Sequence, residues 1–415
     1  MIGRVAILGG SSVYTPEFIS SIIARNLAIG EIVLIGRTEQ KLQLVSAFCQ
    51  RMLDKNGFPT KIVATTDVAE GVKGSNYILN QIRVGGMMAR ARDERVPPMF
   101  DMIGDETLGA GGIANAFRTL PVVLEYARVI ERAAPDATLI NLTNPMGVIV
   151  EALNKITSMN VIGICDVPTV YTKRIAKILN ADSRGIWVDY FGLNHIGWIQ
   201  DVKIDGRSQM ERLLDRVTRK KPDGFDVELV ELFRMIPTRF VSFFFRKDDI
   251  LKKQKEMVKY RGEELYEAEQ LILAQYEDED LCEVPELTKD RNAVWYEQSI
   301  IPLVEGLESE EERELVLCVK NNGALKGLPD EAAVEVPSVV SKKGIQVRRV
   351  GESPCFLKGL FYSVKASERL TVEAVIQNSY DLALQALVIH PLVPSLSAAR
   401  GFLDKMIEDE NLTLR

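Results

Sequence analysis

Histidine is nearly absent from this chain: 415 residues hold only His195 and His390, so any histidine chemistry has two possible homes. The five cysteines (Cys49, Cys165, Cys282, Cys318 and Cys355) are odd in number and lack CxxC spacing, which argues against a disulfide framework and predicts reduced thiols. No apolar run is long enough to span a bilayer, and the opening MIGRVAILGG lacks a signal-peptide cleavage pattern. A cytoplasmic protein without a membrane partner is therefore expected. Positive charge is not in excess either. Lys and Arg number 51 against 58 Asp and Glu, a net charge of −7, whereas a nucleic-acid binder needs a basic face to neutralise phosphates. Repeats, low-complexity tracts and Ser/Gly-rich linkers are all missing.

What remains is ordinary globular composition, 46% hydrophobic and 26% charged, in a chain long enough for one large or two fused domains. The first stretch alternates short apolar runs with helical patterns. RVAIL, EIVLI, KIVATT, NYILNQIRV, ATLINLTN and NVIGIC read as strands, and FISSIIARNLA, QKLQLVSAFCQRML and FRTLPVVLEYARVIERAA as helices. Thr15 before Pro16 reads as the cap of the first helix. This rhythm predicts an α/β fold with a Rossmann-like, doubly wound parallel sheet over residues 1–185. Near Gly185 the pattern changes. WVDYFGLNHIGWIQDVKID suggests strands with different partners, charged helices follow to about Tyr276, and the tail mixes ELVLCVKNNG and AAVEVPSVV with two last helices. Residues 186–415 are thus expected to form an α+β catalytic, substrate and oligomerisation domain, broadly joined to the first.

Gly9-Gly10-Ser11-Ser12 falls between the first strand and the first helix. Small residues there let backbone N–H groups and a helix N-terminus approach a dinucleotide pyrophosphate. The second strand ends Ile35-Gly36-Arg37, without the carboxylate that usually accepts from the NAD ribose. A guanidinium in its place favours a 2′-phosphate, so NADP competes with NAD; alternatively Arg37 is solvated and Glu39 reaches the ribose. Polar groups recur where strands of such a sheet end: Arg83 and Arg90, Glu106, Asn144, Cys165 and Asp166, then Asn194 and His195. A thiolate and an imidazole, completed by substrate hydroxyls and water, suit a borderline divalent ion such as Mn²⁺. For either residue alone the structural reading wins, since a lone Cys after a strand is usually a small buried hydrophobe and a lone His a satisfied core residue.

The ordered motifs GGSSVYTPE, RVGGMMARARDE, GDETLGAGG, NLTNPMG, GICDVP, YFGLNH, YRGEEL, NNGALKGLPDEAAVEVP and HPL extend across almost the whole chain. Together they resemble glycoside hydrolase family 4, the NAD- and Mn²⁺-dependent glycosidases, and most closely its 6-phospho-β-glucosidase branch. The resemblance implies a lactate/malate dehydrogenase-like architecture and hydrolysis by transient oxidation at carbon 3. Loss of the carbon 2 proton, elimination of the aglycone, water addition and re-reduction complete that scheme. It also implies roles. Cys165 and His195 bind the metal, and Asn144, Asn194 and Glu106 meet the substrate. Arg90 and Arg261 hold the 6-phosphate, Asp166 is a catalytic acid, and Gly9, Gly10, Ser11, Ser12, Gly36, Arg37 and Arg83 attend the cofactor. A homodimer or homotetramer is expected.

The chain departs from that pattern in three places. Ser11 and Gly36 replace a glycine and the ribose-binding aspartate. Cys165-Asp166 reads CDxP, the phospho-α-glucosidase form, where the β branch has CNxP. In IPTRFVSFFFRKDD, Phe240, Phe243 and Phe244 replace the tyrosines of a YLxYY motif that supplies the carbon 2 base. Ser242, Asp248, Asp249, Tyr260 and Tyr266 are the nearest polar alternatives. Competing expectations follow: a glycosidase of another 6-anionic hexoside such as a sulfoquinovoside, a sugar or 2-hydroxy-acid dehydrogenase, or a non-catalytic sugar-phosphate sensor.

Overall fold

The computed structural model describes residues 2–291 and 293–415. Six strands, β1 (Ile2–Leu8), β2 (Ile29–Ile35), β3 (Lys61–Thr65), β4 (Tyr77–Asn80), β5 (Thr138–Asn141) and β6 (Asn160–Gly163), lie in the order β3-β2-β1-β4-β5-β6. All are parallel. Seven helices connect them and follow the last: α1 (Thr15–Arg25), α2 (Glu39–Lys55), α3 (Val68–Val72), α4 (Gly86–Arg95), α5 (Gly109–Ala133), α6 (Met146–Ile156) and α7 (Val167–Leu179). The strands are apolar on both faces because helices cover both. Val5, Ile7 and Leu34 pack with Phe18 and Phe48 of α1 and α2. Their alternates Ala6, Leu8 and Val33 pack with Leu120 of α5 and Ile149 of α6. This is the doubly wound half that the alternating pattern predicts.

The second half extends the same sheet. β7 (Ile186–Leu193) and β8 (Ile196–Ile204) form an antiparallel hairpin, with β9 (Arg207–Ser208) and β10 (Ile236–Pro237) pairing on β8. β11 (Arg313–Lys320) and β13 (Ala333–Ser341) pair antiparallel, with β14 (Gly344–Val347) beside β13. β12 (Leu325–Lys326) and β15 (Gly351–Glu352) make a separate small ladder. Two seams join the parts: Cys318 opposite Gly163 links β11 to β6, and Glu335 opposite Gly192 links β13 to β7. One sheet therefore crosses the whole molecule.

Several local expectations change. Thr15 lies inside α1, the cap position being Tyr14, and its hydroxyl accepts from Gln81 Nε2 at 3.1 Å. The run NYILNQIRV is a strand only to Asn80, so Arg83 falls in the following loop. The stretch SERLTVEAVIQNSYDLALQALVI, expected as one helix, begins before its first serine, at Cys355, and breaks at Asn378, which is left-handed (φ 54°). Ser379 there caps a new helix by accepting from the Leu382 N–H at 3.3 Å.

Candidate active site

A cavity of about 810 Å³ opens beyond the carboxyl ends of the parallel strands, where ligands of open α/β sheets bind. Gly9, Ser11, Ser12, Gly36, Arg37, Arg83, Arg90, Glu106, Asn144, Cys165, Asp166, His195 and Arg261 all line it. Gly10 and Asn194 do not.

At one end the chain turns sharply from β1 into α1. Gly9 adopts φ +82°, and its N–H and that of Gly10 both donate to the Ile35 carbonyl at 2.9 Å. Gly10 therefore serves packing: a Cβ there would lie 2.7 Å from Leu34 Cα. Gly36 supports the cradle differently, because a Cβ on it would come within 3.1 Å of Ser11 Oγ. Gln81, which the sequence did not single out, ties the turn by donating to Gly9 O at 3.2 Å and accepting from Tyr296 at 2.7 Å. Open space at a glycine turn and helix N-terminus fits a dinucleotide phosphate. Arg37, Thr38, Lys41 and Tyr126 line the far end, whereas Glu39 is absent from the lining. Arg37→Ala is accordingly expected to weaken NADP(H) roughly tenfold more than NAD(H), as read by cofactor fluorescence titration. Equal losses would assign Arg37 to solvent.

The middle of the cavity is a charge cluster. Glu106 pairs with Arg83 and, at 3.2 Å, with Arg90, whose Nε also donates to Glu94 at 2.8 Å. Burial alone would raise the Glu106 pKa, but Arg83 and Arg90 outweigh it and hold the carboxyl well below the usual range. Arg291 is a cation the sequence did not flag. It lies 4.5 Å over the Tyr14 ring, and burial, followed by repulsion from Arg83 and Arg90, lowers its pKa to about 10. Asn115 fastens this loop to the next by donating to the Glu106 carbonyl at 2.9 Å and the Asn144 carbonyl at 3.0 Å. Arg261 reaches the cavity from the first turn of the helix Arg261–Tyr276 and pairs with Glu264 at 2.8 Å.

Cys165 lies just past β6, and Asp166 is the N-cap residue of α7. Asn194 and His195 form the two-residue connection between β7 and β8, with His195 at φ +66°. This uncommon backbone for a non-glycine residue marks a constrained position. Burial, then the Arg239 cation, pushes the imidazole pKa down to about 3, so the ring is neutral, and its Nδ1 is buried without a hydrogen-bond partner. Burial also drives the Cys165 thiol well above its ordinary value. The donors fit a divalent ion: a neutral imidazole with an uncommitted nitrogen and a thiol that needs a nearby cation to ionise. Among the described residues no group of three or more His, Cys, Asp or Glu could hold a metal, so Cys165 and His195 would supply only part of an ion's shell.

Asn194 lies behind the cavity wall, donating to Glu335 Oε1 at 2.9 Å, while the Tyr190 hydroxyl donates to Oε2 of the same carboxyl. Glu335 stands inside a motif quoted above, yet nothing in its spacing distinguished it from other strand residues. Burial raises its pKa to about 7 despite both hydrogen bonds. Its folded pKa thus lies above the ordinary 4.5. The stability it contributes is complete below that value and is lost as pH rises through about 7, to the extent of ~3 kcal/mol. A Glu335→Gln protein should therefore gain thermal stability relative to the parent between pH 5 and 8. A constant difference in melting temperature would refute the assignment.

Phe240 lines the cavity, stacked on His195 with centroids 4.0 Å apart and planes 6° from parallel. Phe243 and Phe244 pack against the core and do not line the cavity. Ser242, Asp248, Asp249, Tyr260 and Tyr266 are absent from the lining as well. The Tyr260 hydroxyl instead donates to the Gln254 carbonyl at 2.8 Å.

A dinucleotide-type sheet whose strand ends gather a thiol, an imidazole and paired arginines defines a nucleotide-dependent enzyme of the dehydrogenase architecture. Malate dehydrogenase of Plasmodium falciparum shares the fold at a TM-score of 0.51 and 14% identity, over 92% of this chain and 99% of that one. The match to family 4 glycosyl hydrolases covers residues 4–181, and that to their C-terminal domain residues 190–393. A probable 6-phospho-β-glucosidase of Bacillus subtilis is 33% identical, over 98% of this chain and 96% of its own. The 6-phospho-β-glucosidase of Thermotoga maritima, solved with manganese, NAD⁺ and glucose-6-phosphate, superposes with a TM-score of 0.91 at 29% identity, covering 99% and 100% of the two chains. This chain belongs to glycosyl hydrolase family 4.

Proposed function

We propose that the protein hydrolyses 6-phospho-glucosides, β-linked ones first, using NAD or NADP and a divalent metal such as Mn²⁺. The observation carrying this reading is the convergence of Cys165, His195, Asn144 and the Arg83–Glu106–Arg90 cluster on the cavity that begins at the glycine turn. Gly9, Ser11, Ser12 and Gly36 would hold the cofactor, and Cys165 and His195 the metal. When bound, these groups supply reversible oxidation and Lewis acidity at a sugar carbonyl. The chain's own residues do the rest. Asn144 orients hydroxyls, Arg90 and Arg261 receive the 6-phosphate, and Asp166, at the N-terminus of α7 beside Cys165, passes a proton to the leaving oxygen.

The test is an assay of chromogenic 6-phospho-β- and 6-phospho-α-glucosides and a sulfoquinovoside, with Mn²⁺ and either cofactor. Product is expected without net reduced cofactor, with deuterium from solvent entering at carbon 2. Chelation should abolish turnover and Mn²⁺ restore it. Net NAD(P)H would point to a dehydrogenase, and ligand-dependent stabilisation with no product to a sensor. The two anomers are compared because Asp166 matches the α-type motif. We further propose a division near residue 185, a homo-oligomer and a cytoplasmic setting. No helix among the described residues is long and apolar enough to cross a membrane.

A further inference from the structure

The cavity continues along α7 past the residues assigned above. Val167, Val170, Tyr171 and Arg174 line it, a spacing that presents one stripe of the helix. From Asp166 to Arg174 this wall runs roughly 12 Å at 1.5 Å per residue. Arg239 and Phe240 line the cavity too, with the Arg239 guanidinium 4.4 Å from the Phe240 centroid. Arg174 lies 5.8 Å from the Tyr171 centroid, and both arginines act on the Tyr171 hydroxyl. Both arginines are exposed to solvent. They also differ from other cations of the cavity: Arg83 and Arg90 share Glu106 and Arg261 has Glu264, whereas Arg174 and Arg239 form no ion pair among the described residues. Two uncommitted guanidiniums beside an apolar wall are poorly suited to a neutral sugar and well suited to a flat acid, whose ring meets the wall while its anion takes paired N–H donors.

Resting on the glycosidase reading, we infer that this arm of the cavity receives the aglycone, and that Arg174 and Arg239 select an aromatic aglycone bearing a carboxylate. The probes are 4-(carboxymethyl)phenyl and 4-ethylphenyl 6-phospho-glucosides, whose leaving groups are similar. The parent protein is expected to favour the acid by roughly tenfold or more in kcat/KM, carried mainly by KM. In Arg174→Gln and Arg239→Gln that ratio should fall towards one, while Arg174→Lys retains part of it. No preference in the parent, or a preference kept in both glutamine variants, would overturn the inference. Calorimetric titration of both glycosides in the presence of NAD separates the two claims. If neither glycoside is hydrolysed, the glycosidase reading fails, and the ratio of the two dissociation constants alone decides the aglycone site.

Discussion

Phe240→Tyr is expected to raise kcat/KM on a 6-phospho-glucoside by ~10²-fold, within the range a positioned general base contributes. The native ring already lines the cavity, lies flat on His195 at 4.0 Å and carries Arg239 at 4.4 Å on its surroundings. A phenol built on that ring would belong to the lining of the cavity proposed to take the sugar, and the neighbouring guanidinium would favour its ionised form. Of the four tyrosines that line the cavity, Tyr126 lies towards Arg37 and Tyr14 beneath Arg291, and the other two hydroxyls are engaged. Tyr171 donates to the Gly224 carbonyl at 2.8 Å and Tyr296 to Gln81 at 2.7 Å. The gain should be accompanied by faster exchange of the carbon 2 proton with deuterated water. Unchanged turnover would mean that another group, or a metal-held hydroxide, already removes that proton.

Glu106→Ala should cost about 3 kcal/mol or more of folding stability, because it strips the counter-ion from two arginines at once. Glu106 and Arg90 are well buried, while Arg83 keeps some contact with water, which places the effect towards the lower part of the range for broken buried pairs. Arg291, close enough to repel both, adds to the strain. Millimolar glucose-6-phosphate should restore much of the lost melting temperature by supplying the missing negative charge, and glucose should not. A variant as stable as the parent, or one rescued equally by glucose, would remove the cluster from the account of anion binding.

The fold was legible because its signals are local. Apolar runs of strand length, glycine punctuation and helical spacing each register within a dozen residues, and the parallel order follows from their alternation. The cavity lining was legible where a short motif fixes a backbone feature, as at Gly9 and Gly36, or where rare residues coincide with strand ends, as at Cys165 and His195. Reading failed where function depends on what a residue faces across the sheet. Glu335 sits at a seam between strands 141 residues apart in the Asn194 contact, and Arg291 enters from a connection with no distinctive pattern. Gly10, which does not line the cavity, shows the same limit from the other side. A glycine beside a glycine looks like a ligand cradle, but its place was set by contact with Leu34.

The shared sheet has a kinetic corollary. β6 and β7, which lead into Cys165 and His195, are bound by backbone pairing to the same antiparallel strand pair, β11 and β13. Their separation is therefore settled when the chain folds. For an ion held by Cys165 and His195 as proposed above, the ordering entropy of bringing these two residues to one cavity would be spent during folding instead of being subtracted from each encounter.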